Sequence, residues 1–271
     1  MKKLNAACVR VNSLKPAEID EMFRLFCDYY ANVSYEQFKT DLLKKEHVFV
    51  MRDPRLPDIK GFSTIVAVEA TTVGKDAGRT ARGFFSGDTV IHQDYWGQGA
   101  LGIAFLKFLF LQKLRRPFSP LYWFLISKGY KTYLMMANNF ACYYPRYDQP
   151  TPPDIQVLLD SFATQLYPES YQPATGLIVH PEDQAKDRLK TQVAPICEKL
   201  LLENPRIAFF AERNPGWKQG DELACLGEMT FMMPFEYQFK LLRKQTLRIF
   251  GRLLPGFKPS PLPPTEESAT T

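Results

Sequence analysis

The chain has 271 residues, 45% of them hydrophobic and 14% aromatic, which is enough for a packed core and excludes wholesale disorder. Its net charge of +5 gathers near one end, where residues 235–254 carry Lys240, Arg243, Lys244, Arg248 and Arg252 against Glu236 alone. The remainder is close to balance and has no nucleic-acid-binding motif, so no nucleic acid partner is expected. The longest apolar run, residues 100–111, is broken only by Lys107 and falls well short of the roughly 20 residues that cross a bilayer. Five scattered cysteines without a Cys-x-x-Cys pair, and three histidines far apart, point to no disulfide framework and no metal site. The first residues lack the apolar segment of a secretory signal, which predicts a cytoplasmic chain.

Ile19, Met22, Phe23, Phe26 and Tyr30 recur at helical spacing, and Pro16 suits the first turn of the helix they define. Ser34 with Gln37 three residues later has capping-box spacing and opens a second helix running to about Lys45. The period then changes from 3.6 to 2. Residues 47–51, 61–70 and 82–92 read as three strands of an antiparallel meander, separated by a proline-bounded turn at 53–58 and a polar turn containing Gly74 and Gly78.

Residues 95–102, Tyr-Trp-Gly-Gln-Gly-Ala-Leu-Gly, lead from the third strand into an apolar helix over 103–114. A glycine turn ahead of a helix exposes unpaired N–H groups and the positive end of the helix dipole, a combination that binds phosphate. It serves equally as a turn that needs positive φ. Residues 121–126 read as a short aromatic helix, 130–137 as a strand, and 138–144 as a helical turn stopped by Pro145. Helices are expected over 151–168 and 184–202, and strands over 206–212 and 221–229 form a hairpin. A basic amphipathic helix, 236–254, and a disordered Pro/Ser/Thr/Glu tail, 255–271, end the chain.

This order of elements resembles the GNAT (N-acetyltransferase-like) acyltransferase superfamily, of which the chain looks like a divergent member. The resemblance implies an α/β (α+β) fold, with a mixed, mostly antiparallel central sheet flanked by helices. It covers residues 1–235, with a helical insertion at about 150–204. In that family a split between the fourth and fifth strands holds the pantetheine of an acyl-CoA, and a glycine turn with the following helix start holds the pyrophosphate. Residues 88–99 look like the fourth strand and its turn, residues 133–138 like the fifth strand, and residues 138–144 like the family's N-x-x-A helix. Trp96 and Leu101 stand where the family pattern has a basic or amide residue and a small one.

The resemblance implies binding of acetyl-CoA or a longer acyl-CoA through Ile91, Gly97, Gln98, Gly99, Ala100, Gly102 and Asn138, with no metal. Direct transfer from a thioester needs a base and an acid but no covalent nucleophile. Asp88, His92 and Asp94 are the candidate bases, and Tyr144 leads Tyr143 and Tyr147 as the acid. Each of these side chains can instead serve packing or solvation. The expected function is direct acyl transfer from acyl-CoA or an acyl-carrier thioester to an amine or hydroxyl acceptor, small molecule or lipid. The competing expectation is an inactive GNAT-fold protein that binds a lipid or acyl ligand. The helix at 235–254 suits the inner membrane surface, and suits packing on its own domain equally well.

Overall fold

The computed structural model describes residues 4–179, 188–189, 195–233 and 235. The chain divides into two compact units, Met1–Phe231 and Met232–Thr271, and the account below concerns the first. In chain order its elements are β1 (Asn5–Arg10), α1 (Pro16–Tyr29), β2 (Tyr30–Ala31), α2 (Tyr35–Leu43), β3 (His47–Arg52), β4 (Ile59–Thr71), β5 (Thr80–Ile91) and α3 (Ala100–Arg115). There follow β6 (Leu121–Ser127), α4 (Tyr130–Asn139), β7 (Tyr143–Tyr144), α5 (Pro153–Leu166), β8 (Tyr171–Gln172), β9 (Leu177–Ile178), β10 (Arg188–Leu189), α6 (Glu198–Glu203), α7 (Pro205–Arg213) and β11 (Glu222–Glu228).

The main sheet runs β1-β3-β4-β5-β6-β11-β9-β8, with β7 paired to β11, while β10 pairs with β2. Among the described residues every pairing is antiparallel except that of β5 with β6. The fold is therefore the expected mixed, mostly antiparallel sheet flanked by helices. Helices α1, α2 and α5 cover one face of this sheet, and α3 with α4 covers the other. Alternation along β3 and β6 assigns the side chains. Val48 and Val50 meet Met22, Phe26 and Phe38 below α1 and α2, whereas Phe49 meets Phe105 of α3. Phe124 packs against Phe162 of α5, whereas Trp123 packs against Phe105. Full burial of each such phenylalanine stabilises by about 1.5–3 kcal/mol.

Several expectations are corrected. Residues 121–126 form the central strand β6, not a helix: a strand covered on both faces is apolar throughout, so it loses the alternation that would distinguish it. Residues 130–137 form helix α4, not a strand. Its buried residues Tyr133, Met136 and Ala137, with Phe140 just beyond, fall at helical spacing. The 138–144 turn is instead the end of α4 followed by β7. Residues 206–212 lie in helix α7, which Asn204 caps by accepting the Arg206 N–H at 3.1 Å, so the hairpin is replaced by a helix, a 3-10 turn and β11. The insertion is not purely helical, since β8 and β9 within it extend the sheet. The edge strand β1 escaped the sequence pattern because most of its side chains are exposed. The helix expected over 184–202 falls mostly outside the described residues, which hold only β10 and α6 there, and the 236–254 helix and the 255–271 tail lie wholly outside them.

Candidate functional site

The site begins with a defect in strand pairing. On β4, Ser63 faces Thr89 and Ile65 faces Ser86, so the single residue Thr64 opposes both Gly87 and Asp88. Such a bulge bends a strand and raises its twist. It lies where β5 leaves β6: the parallel pairing runs from Arg82↔Leu121 to Ser86↔Leu125 and ends there, although β5 continues to Ile91 and β6 to Ser127. The two strands part there, and this parting is the candidate cleft. Glycine is required at the bend, because a Cβ at position 87 would lie 2.7 Å from Thr64 Oγ1 and 3.2 Å from Phe85 Cε1. Thr64 Oγ1 is buried there and has no hydrogen-bond partner among the described residues.

The bulge also sends Asp88 toward the α2 and α5 face. Burial pushes its carboxyl above the usual carboxylate range, the neighbouring Lys45 and Lys128 pull it down, and Asp41 and Glu222 push it up. Glu222 is itself buried and lies 3.9 Å from Lys128 Nζ. Lys45 Nζ lies over the Phe85 ring at 5.3 Å, and that ring meets Tyr167 edge-on at 5.9 Å. Burial holds the Tyr167 phenol well above its ordinary value, and Glu222 and Asp88 add to that. Lys45, Lys128 and Tyr167 escaped the sequence reading because they come from three separate segments and carry no common spacing.

At the mouth of the cleft, β5 passes through a 3-10 turn (Gln93–Tyr95) into the glycine turn. Gly97 and Gly99 both adopt left-handed φ, 77° and 72°, and Gly99 is the residue before the first turn of α3. No side chain caps that helix, so the N–H groups of Ala100, Leu101 and Gly102 face outward from its positive end. Nothing lies within 4 Å of a Cβ placed at Gly97 or Gly102. Leu101 is buried, so it points into the core and not into this cradle. Gln98 accepts the Leu4 N–H at 3.2 Å, which ties the turn to the start of β1. Trp96 donates its indole N–H to Ile91 O at 2.7 Å, while Lys131 of α4 lies over its ring at 5.1 Å. Tyr95 donates to Asp53 Oδ2 at 3.0 Å, anchoring the turn to the β3–β4 connection.

Asp88 lies at the parting of β5 and β6 and the glycine turn follows the end of β5, while His92, Tyr144 and Asn138 do not join them. His92 is four residues beyond Asp88, about 13 Å along a strand, and its Nδ1 accepts the Asp94 N–H at 3.3 Å. Tyr144 is paired with Leu226, whose other partner is Phe124 of β6, so β7 lies on the far edge of β11. Roughly three strand spacings, about 14 Å, separate it from β5. It does not reach the cleft, and the helix that would have aimed it there is absent. Asn138 sits exposed at the end of α4 and accepts from Arg206 Nη1 at 2.7 Å, away from the glycine turn. No group of three potential metal-binding side chains occurs among the described residues.

No protein-family model matches the chain, and no curated protein sequence matches it. Solved structures do. NAA60 of Arabidopsis thaliana in complex with acetyl-CoA is 12% identical over 51% of this chain and 87% of that one, with a TM-score of 0.38. A probable N-acyltransferase of Enterococcus faecalis V583 is 16% identical over 51% of this chain, with a TM-score of 0.36, and the match spans only 32% of that chain. The aminoglycoside acetyltransferase meta-AAC0020, from an uncultured soil metagenomic sample, is 16% identical over 49% of this chain and 82% of that one, with a TM-score of 0.32. Among the described residues the sheet order, the parallel pair β5–β6 and the glycine turn beside its parting agree with the mixed, mostly antiparallel fold that the resemblance implies.

Proposed function

We propose that the protein is a GNAT-type acyltransferase that carries an acyl group from acetyl-CoA or a longer acyl-CoA directly to an amine or hydroxyl acceptor. One observation carries this reading: the parallel pair β5–β6 parts after Ser86↔Leu125 beside an uncapped helix entered through two left-handed glycines. The cleft fits a pantetheine arm, and the cradle formed by Gly97, Gly99, Ala100 and Gly102 fits a diphosphate, since backbone N–H groups converge there and no side chain fills it.

In this reading Asp88 is the base. An acceptor entering from the α2 and α5 face meets its carboxylate, whose raised affinity for protons suits it to take one from an attacking amine or alcohol. The acceptor's lone pair forms the new bond to the thioester carbonyl, and the tetrahedral intermediate then expels the thiolate. Titration with acetyl-CoA and longer acyl-CoA species tests binding, and release of free thiol in the presence of an amine and alcohol panel tests transfer. Absence of acyl-CoA binding by folded protein would overturn the proposal.

A second reading, a GNAT-fold binding protein without catalysis, draws on the Trp96–Ile91 hydrogen bond. That bond occupies the main-chain carbonyl of Ile91, a residue through which the resemblance implies acyl-CoA binding. Acyl-CoA binding without thiol release from any acceptor distinguishes it.

A further inference from the structure

Helix α3 buries Leu101, Phe105 and Leu109 against the sheet, a stripe at i, i+4 and i+8. A surface helix with such a stripe ordinarily turns polar residues outward. Here the opposite side carries Ile103, Leu111 and Leu114, which are 52%, 45% and 51% exposed, and just beyond the helix Phe118 is 87% exposed. Four large apolar side chains thus follow one line along the outside of the unit, interrupted by Lys107.

Where the C-terminal half of α3 meets β1 and β5, a groove of about 380 Å³ runs along the flank of the helix. Four guanidiniums line it: Arg10 from β1, Arg82 from β5, and Arg115 and Arg116 from α3. Glu69 holds Arg82 and Arg116, each at 3.2 Å, and Glu46 lines the groove as a second acid. Arg10 and Arg115 are exposed, and neither has a carboxylate partner among the described residues, so two positive charges are left over. Cations near a helix C-terminus offset its dipole, which accounts for Arg115. That effect does not bring Arg10 across from an edge strand.

We propose that the outer side of α3 and this arginine groove together form a docking surface for an anionic phospholipid membrane. The apolar line enters the boundary between headgroups and acyl chains, and the groove takes a lipid phosphate, which guanidinium forks bind bidentately. Charge complementarity selects this occupant over a second copy of the chain, whose matching surface would bring the same unpaired arginines together. The arginine groove, Leu111, Leu114 and Phe118 lie toward the C-terminal end of α3, at the opposite end of the helix from the glycine turn, so the proposal stands independently of acyl transfer.

The test is cosedimentation of the full chain with vesicles of phosphatidylcholine alone and of equal parts phosphatidylcholine and phosphatidylserine. Two double variants are compared with the parent, Leu114→Ser with Phe118→Ser and Arg10→Gln with Arg115→Gln; all four positions are exposed, so the fold tolerates them. Each pair is expected to weaken binding to the anionic vesicles about tenfold, and the arginine pair also flattens its salt dependence. Three results overturn the proposal: no vesicle binding by the parent, unchanged binding by both variants with loss only when residues 235–271 are removed, or self-association that the apolar pair disperses in the absence of vesicle binding.

Discussion

Trp96 folds back onto Ile91 at the end of β5: the indole N–H of one meets the main-chain carbonyl of the other at 2.7 Å. Trp96 is about half exposed, so its ring contributes little to the core. Replacing it with phenylalanine keeps an aromatic ring for Lys131 and releases the carbonyl. A neutral hydrogen bond contributes about 1 kcal/mol net, so Trp96→Phe is expected to bind acetyl-CoA about fivefold more tightly. Calorimetric titration of both proteins checks this, and weaker binding by the variant would assign Trp96 to the ligand site itself.

The phosphate cradle separates binding from stability at Gly102. A side chain there meets nothing within 4 Å, and an acid in the first turn of α3 favours the helix by about 0.3–1 kcal/mol. Gly102→Glu should therefore melt at or above the parent temperature, yet its carboxylate occupies the position meant for a diphosphate. Acyl-CoA affinity is expected to fall at least about tenfold through lost anion binding. Thermal unfolding and titration on the same sample read both effects, and retained affinity would remove α3 from the donor site.

Asp88 has a raised folded-state pKa, so its sign is opposite to that of an ion-paired surface acid. Protonation stabilises the folded state, and that contribution is lost as pH rises through the folded value. Asp88→Asn is accordingly expected to unfold at higher denaturant than the parent at neutral pH, with the gap closing toward the ordinary carboxylate pKa of about 3.9. Activity should show the reverse preference, since a base must be ionised. The acid limb of kcat/KM then lies above the usual aspartate range in the parent and disappears in Asp88→Asn, whose rate drops about 100-fold or more. A parent limb at the ordinary aspartate pKa, or an active asparagine variant, would exclude Asp88 as the base.

Asp53 carries the opposite shift. Hydrogen bonds from the Arg55 side chain lead in holding its carboxyl far below the usual range, against the opposing effect of burial, and the Arg55 N–H and Tyr95 hydroxyl add to them. Its stabilisation is present above the unfolded carboxylate pKa and is lost as pH falls through the folded one. Asp53→Asn should be less stable than the parent at neutral pH and should lose that acid dependence. Because Tyr95 reaches Asp53 from the turn after β5, the same variant is expected to loosen the glycine turn and weaken acyl-CoA binding. Denaturant unfolding across pH, together with titration, tests both.

The bulge is testable by paired substitution. Gly87→Ala places a Cβ 2.7 Å from Thr64 Oγ1 and is expected to cost about 1–3 kcal/mol, as overpacking does. Thr64→Ala removes a buried hydroxyl that has no partner, so it should be nearly neutral alone and should recover part of that loss in the double variant. Additive effects in urea unfolding would show that the two residues do not meet.

Elements whose signal is local were legible without the fold. The stripe Ile19, Met22, Phe26 marks α1, the Ser34 cap marks α2, and the glycines at 97 and 99 mark the entry to α3, because spacing, capping and left-handed φ are properties of a few neighbouring residues. The glycine turn stood out as a candidate for the same reason, whereas Asp88 entered only through the resemblance. The strand β6 and helix α4 were exchanged, since an apolar run covered on both faces has no period and only its partners, β5 on one side and β11 on the other, decide what it becomes. That exchange is what put Tyr144 at the end of a helix in the expected site, whereas β7 places it on the far edge of β11. Tertiary structure alone decided where β5 parts from β6, because the bulge depends on register between Thr64 and Gly87–Asp88, and register is a relation between strands. It alone also gathered Arg10, Arg82 and Arg115 around one groove, from three elements with no shared motif.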